Sequence, residues 1–182
     1  MRAHLDLLET HFLVYRLPAW HTNRIKRLAK APKLHLIDSG LLAHLLEANV
    51  ERVKSDGQVV GTLAETFAVM EIVRQAAVAE DPPRLYHLRD REGHEVDLLL
   101  EWRGGAVAGV EVKTAATVGS ADFRGLKLLR EHLGKRFAFG VVLYAGPATV
   151  PFGDRLAAVP LCGLWSAEDG RLSGDGTPQP TA

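Results

Sequence analysis

Residues 137–145 form a nearly unbroken apolar run, and this run constrains the fold more than any other segment of the chain. An apolar run of strand length, without polar alternation, is typical of a central strand buried on both faces of a sheet. Such a strand requires helices on both sides of the sheet. The run is also far too short to span a bilayer, so it predicts an interior strand and no membrane segment.

The segments around this strand complete an α/β pattern. Residues 59–79 carry apolar side chains on most sides and predict a long buried helix. Strands are predicted at 85–89, 95–101 and 107–113, joined by turns at 90–93 and 102–105. A helix then follows, bearing Phe123, Leu126, Leu129 and Leu133 and closed by Gly134. The order α-β-β-β-α-β, with the buried strand last, predicts a mixed sheet flanked by helices.

Smaller elements are predicted on either side of this core. Residues 4–17 favour a short helix that runs into a strand, and residues 34–37 favour another strand. Asp38 is placed to cap a helix that starts near Leu41. Residues 49–57 are predicted to be a polar loop and residues 156–161 a short edge strand. The tail from 166 to 182 is rich in Gly, Pro, Ser and Asp and is predicted to be disordered.

Charge is unevenly distributed although the formal net charge is zero. Residues 1–35 hold seven Lys and Arg against Asp6 and Glu9, a net charge of +5. The rest of the chain holds 15 basic and 20 acidic residues, a net charge of −5. A basic segment joined to an acidic domain is compatible with a nucleic-acid partner. It is equally compatible with the solvated face of a small helical module.

Several classes of protein lack support in the sequence. There is no Gly-x-x-x-x-Gly-Lys-Ser/Thr nucleotide loop and no Gly-x-Ser-x-Gly nucleophile motif. The eight histidines show no Cys/His metal spacing, and the single cysteine, Cys162, allows no internal disulfide. The N-terminus lacks the apolar stretch of a secretory signal, so the expected location is cytoplasmic.

Two neighbouring strands carry an acidic constellation. Glu111 and Lys113 are two residues apart and therefore share one face of their strand. If 103–105 forms a three-residue hairpin loop with a left-handed glycine, Asp97 lies directly opposite Glu111. Cross-strand Cβ atoms are then roughly 4.5–5.5 Å apart. Carboxylates that close repel each other, and a Mg²⁺ or Mn²⁺ ion between them removes the repulsion.

A third acid, Glu65, lies on the mostly apolar helix, where a carboxylate needs a partner or a role. Each acid alone has an ordinary interpretation. Glu65 could be a partly exposed residue near the helix start, and Asp97 could lie on the solvent face of a hairpin. His94 could reach a substrate, although a solvent-exposed turn histidine is favoured. The acids are more specific together, in this order and on these elements.

The run of Glu65, then Asp97, then Glu111-Val112-Lys113 resembles the PD-(D/E)XK phosphodiesterase superfamily. More closely, the chain is similar to the uncharacterised C-terminal domain that follows AAA+ ATPase modules in many prokaryotic proteins. The matching stretches are 4–18, 33–42, 61–71 and the strands of Asp97 and Glu111, and the resemblance extends to about Trp165.

The resemblance implies a restriction-endonuclease-like core over 36–165, preceded over 1–35 by a basic winged-helix-like remnant or linker. It implies a metal-dependent nuclease acting on DNA phosphodiesters. Asp97, Glu111 and Glu65 would be the metal ligands, with Mg²⁺ or Mn²⁺ as cofactor. Lys113 would position the attacking water and stabilise developing charge.

An alternative implied by the same resemblance is a non-catalytic accessory domain that binds DNA or protein beside an AAA+ ATPase module or partner chain. The superfamily includes members that keep the fold and lose the chemistry. The ATPase half is absent from this sequence, so a truncated or split relative is expected and ATP hydrolysis is not transferred to it. The retention of Glu65, Asp97, Glu111 and Lys113 favours metal binding. The sequence leaves the oligomeric state open.

Overall fold

The computed structural model describes residues 2–20, 31–89 and 93–165. Six of its strands form one mixed sheet: β3 (Arg84–Arg89), β4 (Glu95–Glu101), β5 (Val107–Val112), β6 (Phe137–Tyr144), β7 (Val150–Pro151) and β8 (Leu156–Pro160). Their spatial order is β3-β4-β5-β6-β8-β7. Strands β3, β4 and β5 are antiparallel neighbours, whereas β6 pairs in parallel with both β5 and β8.

Helices and a two-stranded ribbon surround this sheet. The helices are α1 (Arg2–Thr10), α2 (Ser39–Leu45), α3 (Val50–Ser55), α4 (Gly57–Ala77) and α5 (Arg124–Leu133). Short 3-10 turns cover Ser120–Phe123, Gly134–Arg136 and Leu161–Leu164. The ribbon consists of β1 (Val14–Leu17) and β2 (Lys33–Leu36), which are antiparallel.

Each face of the sheet is covered by one main helix, which confirms the predicted α/β class with a mixed sheet flanked by helices. On one face, buried Ala68 and Val69 of α4 pack with Leu98 and Val110 of the sheet. On the other face, α5 packs with the sheet through a cluster that includes Val96, Leu99, Val107, Phe123, Leu126, Leu129 and Phe137. Gly109 permits this second contact, because a Cβ there would lie 2.6 Å from Leu126 Cδ2.

The predicted central position of this strand is confirmed, since β6 lies between β5 and β8 and both neighbours are hydrogen-bonded to it. The predicted burial on both faces is incomplete, because Phe139 is 44% exposed. The prediction that 156–161 forms an edge strand is wrong. The two-residue strand β7 pairs with β8 and takes the edge position. This strand is too short to give an alternation signal in the sequence.

The prediction of a polar loop at 49–57 is also wrong, because α3 forms there. Asn49 caps this helix, and its side chain accepts a hydrogen bond from Arg52 N at 2.8 Å. Val50 and Val53 are exposed, so the helix lacks the apolar stripe by which a buried helix is recognised. The cap predicted at Asp38 is confirmed, since its carboxylate accepts from Leu41 N at 2.6 Å.

The N-terminal ribbon packs onto the main sheet. Leu17 is fully buried in the α4 cluster. After β1 the chain runs beside β3, where His87 N donates to Pro18 O at 2.9 Å and Trp20 N donates to His87 O at 2.7 Å. The predicted division between 35 and 36 therefore falls within β2, which is hydrogen-bonded to β1.

Two predictions concern residues outside the described ranges, namely most of the turn at 90–93 and the tail at 166–182. Of the helices formed by the described residues, none has both the length and the apolar character needed to cross a membrane.

Candidate active site

The hairpin between β4 and β5 sets the position of two predicted acids. Trp102 N donates to Ala106 O at 3.0 Å, and Gly105 has a φ of +83°, which is favourable for glycine. The predicted loop at 103–105 is thereby confirmed. Leu98 pairs with Val110, and the paired stretch ends there, one residue before Asp97 and Glu111 would meet.

A β-bulge changes the backbone at Asp97. Tyr86 pairs with Leu99, but the next pair joins Leu88 to Val96, so two residues of β4 lie opposite one residue of β3. A bulge of this kind re-aims side chains and interrupts the ladder. Asp97 is 8% exposed. Its carboxylate accepts a hydrogen bond from Val112 N at 2.9 Å. Its side chain thus satisfies a backbone donor of β5 where the strands stop pairing.

The bulge also corrects the expected face pattern of β4. The alternation of the sequence places Val96 and Leu98 on one face, but they belong to different core clusters. Val96 packs on the α5 side with Leu99, and Leu98 packs on the α4 side with Val110. Sequence alternation fails here because the additional residue of the bulge reverses the order of faces.

Glu111 and Lys113 form an ion pair on the α5 side of the sheet. Lys113 Nζ donates to Glu111 Oε1 at 2.8 Å, and the Glu111 side chain is 13% exposed. The other oxygen, Glu111 Oε2, is buried and has no hydrogen-bond partner among the described residues. Burial and the negative charge of Asp97 raise the pKa of Glu111 to about 7, although Lys113 acts in the opposite direction. The site thus contains a buried carboxylate oxygen that lacks a hydrogen-bond partner.

Glu65 meets a different cation. Lys33 Nζ lies 2.5 Å from Glu65 Oε1 and 3.3 Å from Asp97 Oδ1, so the ammonium group bridges the two carboxylates. Burial raises the pKa of Glu65, as does the charge of Asp97, and Lys33 partly opposes both effects. Lys33 of β2 therefore supplies the partner that the Glu65 carboxylate requires.

Sequence reasoning missed Lys33 and His35 as members of the site. His35 is buried, its Nδ1 lies 3.4 Å from Thr66 Oγ1, and its Nε2 lies 3.8 Å from Glu65 Oε1. Burial and the charge of Lys33 lower the pKa of His35 to about 4, so the imidazole is neutral at pH 7. The available signal was the alternation of Lys33 and His35, the same pattern that singled out Glu111 and Lys113, but the strand predicted at 34–37 begins one residue after Lys33.

Of the four predicted site residues, Glu65, Glu111 and Lys113 all lie near Asp97, but the four do not surround one common point. Glu65 reaches Lys33 and Asp97 from α4. Glu111 alternates with Val110 and Val112, which belong to the α4-side cluster, so it lies on the opposite face. In the part of the chain that the structure describes, no three His, Cys, Asp or Glu side chains form a ready-made metal-binding group. Asp97 is the residue that the two halves of the site share.

A polar cavity of about 320 Å³ opens beside Glu111. It is lined by Glu111 of β5 and Lys113 just after that strand, by Glu95 of β4 and His94 just before that strand, and by Asp122 and Arg124 near the start of α5. Gly125 contributes no side chain, and a Cβ there would lie 2.2 Å from the Glu95 carbonyl oxygen. His94 lines this cavity and is half-buried, so it is not a fully exposed turn histidine.

Comparison with known families matches residues 60–164 to the domain of unknown function DUF4143. This range includes Glu65, Asp97, Glu111 and Lys113 and covers more than half of the 182 residues. The chain belongs to the DUF4143 family. A second domain of unknown function, DUF8612, matches residues 1–52, so Lys33 and His35 lie outside the DUF4143 match.

Relatives of this DUF4143 domain are themselves uncharacterised. Uncharacterized protein Mb2031c of Mycobacterium bovis and Uncharacterized protein Rv2008c of Mycobacterium tuberculosis are each 28% identical over 159 residues. The match covers 87% of this chain and 34% of either relative. The chain therefore spans about a third of the length of the curated relatives it matches. No solved structure matches it.

Proposed function

We propose that this DUF4143 domain is a metal-dependent nuclease of the PD-(D/E)XK type, which hydrolyses DNA phosphodiesters. The observation that carries the proposal is the buried, unpartnered Oε2 of Glu111 beside Asp97, with the Lys113 ammonium on the other oxygen. A buried carboxylate oxygen without a hydrogen-bond partner is costly, and carboxylates perturbed in this way are concentrated at functional sites. The adjoining cavity of about 320 Å³ provides room for a substrate phosphate.

The donor set fits a hard divalent cation. Asp97 and Glu111 supply carboxylate oxygens, the Val112 carbonyl supplies a neutral oxygen, and Mg²⁺ or Mn²⁺ commonly takes one or two carboxylates with waters completing the shell. A bound cation would supply Lewis-acid polarisation of the phosphoryl oxygen and lower the pKa of a bound water. The unpartnered Glu111 oxygen supports this assignment, because a bound cation would give that oxygen the partner it lacks.

The residues of the chain would perform the remaining steps. Lys113 lines the cavity and contacts Glu111, so its ammonium can orient the attacking water and stabilise negative charge on the phosphoryl oxygens. Arg124 lines the same cavity and can hold a neighbouring phosphate of the substrate through its planar guanidinium. His94 is a further polar contact for the substrate at the mouth of the cavity.

DNA is the proposed substrate because the basic N-terminal segment would lie along its backbone. This support is weaker for two basic residues of the segment, because they are already paired with acids of the protein. Arg16 is paired with Asp6 and Glu9, and Lys33 is paired with Glu65 and Asp97. The other basic side chains of this segment, those of Arg2, Arg24, Lys26, Arg27 and Lys30, lie outside the described part of the chain.

A second candidate is a non-catalytic DNA- or protein-binding domain that accompanies an AAA+ ATPase module or partner chain. The observation in its favour is Lys33, which neutralises Glu65 and Asp97 without a metal ion. The relatives are also about three times as long as the matched segment, which leaves room for a further module. This candidate predicts no metal-dependent turnover on any nucleic acid.

The test compares wild type with Asp97→Asn and Lys113→Met. Asparagine keeps an acceptor for Val112 N, so the fold is expected to survive the change. Wild type is expected to bind Mn²⁺ in calorimetry and to cleave mixed single- and double-stranded DNA. Asp97→Asn should lose both Mn²⁺ binding and DNA cleavage. Lys113→Met should keep Mn²⁺ binding, and its rate of cleavage should fall about 100-fold or more.

Glu131→Gln is the matched control, because Glu131 is exposed on α5 away from the acids. Cleavage that survives both site variants would refute the assignment of Asp97 and Lys113. Mn²⁺ binding without cleavage of any nucleic acid would favour the non-catalytic candidate.

A further inference from the structure

Lys33 is held inside the acidic site by its own strand. Lys33 and His35 are two apart on β2 and share a face, while Leu34 between them is 46% exposed. That shared face is directed at α4, where Glu65 and Thr66 receive the two side chains. The Lys33 ammonium lies 2.5 Å from Glu65 Oε1 and 3.3 Å from Asp97 Oδ1. This is the place between two carboxylates where a cation is expected to bind.

The groups around the ammonium are metal-ligand types. His35 is 3% exposed, and its Nε2 has no hydrogen-bond partner among the described residues. That nitrogen lies 3.8 Å from the same Glu65 oxygen that contacts Lys33. A neutral imidazole with two carboxylates is a donor set that divalent transition metals accept. The ammonium therefore occupies a position whose other neighbours could bind a free cation.

We propose that the acidic cluster has two cation positions that share Asp97, and that Lys33 permanently fills one of them. A divalent cation is thereby restricted to the position between Asp97 and Glu111. Glu65 anchors Lys33 and is not itself a metal ligand. This inference rests on the proposed function in one respect, namely that the position at Glu111 takes a divalent cation.

The two positions differ in their surroundings. Asp97 directs Oδ1 at Lys33 and Oδ2 at Val112 N, so one carboxylate links both halves. Glu111 Oε2 and Glu65 Oε1 both lack a hydrogen-bond partner among the described residues, but only Glu65 Oε1 has the Lys33 ammonium 2.5 Å away. A second cavity of about 240 Å³, lined by Lys33, His87 and Glu95, adjoins the Lys33 position. An ion could therefore enter if the ammonium were removed.

The experiment counts Mn²⁺ equivalents by calorimetry in wild type, Lys33→Met and Lys54→Met. Methionine keeps the length of the side chain and removes its charge. Lys54→Met is the matched control, because Lys54 is exposed on α3 and lies outside the site. We expect Lys33→Met to bind one more equivalent of Mn²⁺ than wild type, and Lys54→Met to bind the same number as wild type.

The outcomes distinguish a failure of the role proposed for Lys33 from a failure of the metal-dependent function. An equal number of bound ions in wild type and Lys33→Met, with at least one ion bound, overturns the role of Lys33 and leaves the proposed function standing. One ion in Lys33→Met and none in wild type supports the role of Lys33 and overturns the metal-dependent function. No binding in either protein overturns both.

Two further variants guard against a folding defect. Lys33→Gln retains a hydrogen-bond donor for Glu65 and serves as the replacement if circular dichroism shows that Lys33→Met is unfolded. Glu65→Gln is expected to keep the wild-type number of Mn²⁺ ions with an affinity within about threefold of wild type. A loss of more than about tenfold would identify Glu65 as a ligand and overturn the proposal.

Discussion

Replacing Glu111 by glutamine is expected to stabilise the metal-free protein above neutral pH. Glu111 is buried beside Asp97, and these two effects raise its pKa from the usual 4.5 to about 7. A carboxyl group whose pKa is higher in the folded state binds more protons when folded. The free energy of unfolding therefore falls as the pH rises from 4.5 to about 7. Glutamine has the shape of the protonated carboxyl group and cannot lose a proton, so the variant lacks this fall.

The size of the effect follows from the shift in pKa. Moving from 4.5 to about 7 corresponds to about 3 kcal/mol of lost stability once the pH is well above 7. For a chain of 182 residues this corresponds to a difference in Tm of about 6–12 °C. Lys113 contacts Glu111 Oε1 and also meets the amide oxygen of glutamine, so the variant keeps one hydrogen bond at this position.

The assay is thermal unfolding in a chelating buffer at pH 5 and pH 8. The difference in Tm between Glu111→Gln and wild type should be small at pH 5 and large and positive at pH 8. The charged groups that do not interact with Glu111 are common to both proteins, so their contributions cancel in the difference. Glu131→Gln provides the exposed control and should show no such pH dependence.

A result in which Glu111→Gln and wild type lose stability in parallel between pH 5 and pH 8 would refute the reasoning. It would show that Glu111 ionises in the folded protein as readily as in water, and the argument that Oε2 is buried without a stabilising partner would fail. Adding Mn²⁺ at pH 8 should raise the Tm of wild type more than that of the variant, because the carboxylate is needed to hold the ion.

Two changes test the packing that positions the site. Gly109→Ala places a Cβ 2.6 Å from Leu126 Cδ2 and should destabilise the fold by about 1–3 kcal/mol, whereas Gly104→Ala, where nothing lies within 4 Å, should change the Tm little. Urea titration of both variants checks this pair, and equal stabilities would contradict the close approach of α5. Phe123→Ala removes a fully buried ring stacked 4.4 Å from Phe152 and should cost about 3–5 kcal/mol in the same assay. A cost below about 1 kcal/mol would show that this part of the core is loosely packed.

Much of the fold followed from local sequence patterns. The apolar run at 137–145 predicted the central strand, and the glycines at 104 and 105 predicted a hairpin loop that sets the pairing of Leu98 with Val110. These predictions succeeded because strand burial and tight turns depend on residues close together in the chain. The errors arose where an element depends on a distant strand or carries no apolar pattern. The edge position of β7 depends on pairing with β8, and α3 depends on a cap at Asn49 with no apolar stripe.

The candidate site, like the fold, was predictable from the sequence only in part. The sequence by itself determined which acids lie on adjacent strands, and it required a partner for the carboxylate of Glu65. It could not identify that partner, because Lys33 is 32 residues from Glu65 and 64 from Asp97 along the chain. Only the tertiary structure placed the ammonium between the two carboxylates and divided the acids between opposite faces of the sheet. The physical reason is that the bulge at Asp97 and the docking of β2 on α4 arise from contacts between distant segments, which no local periodicity encodes.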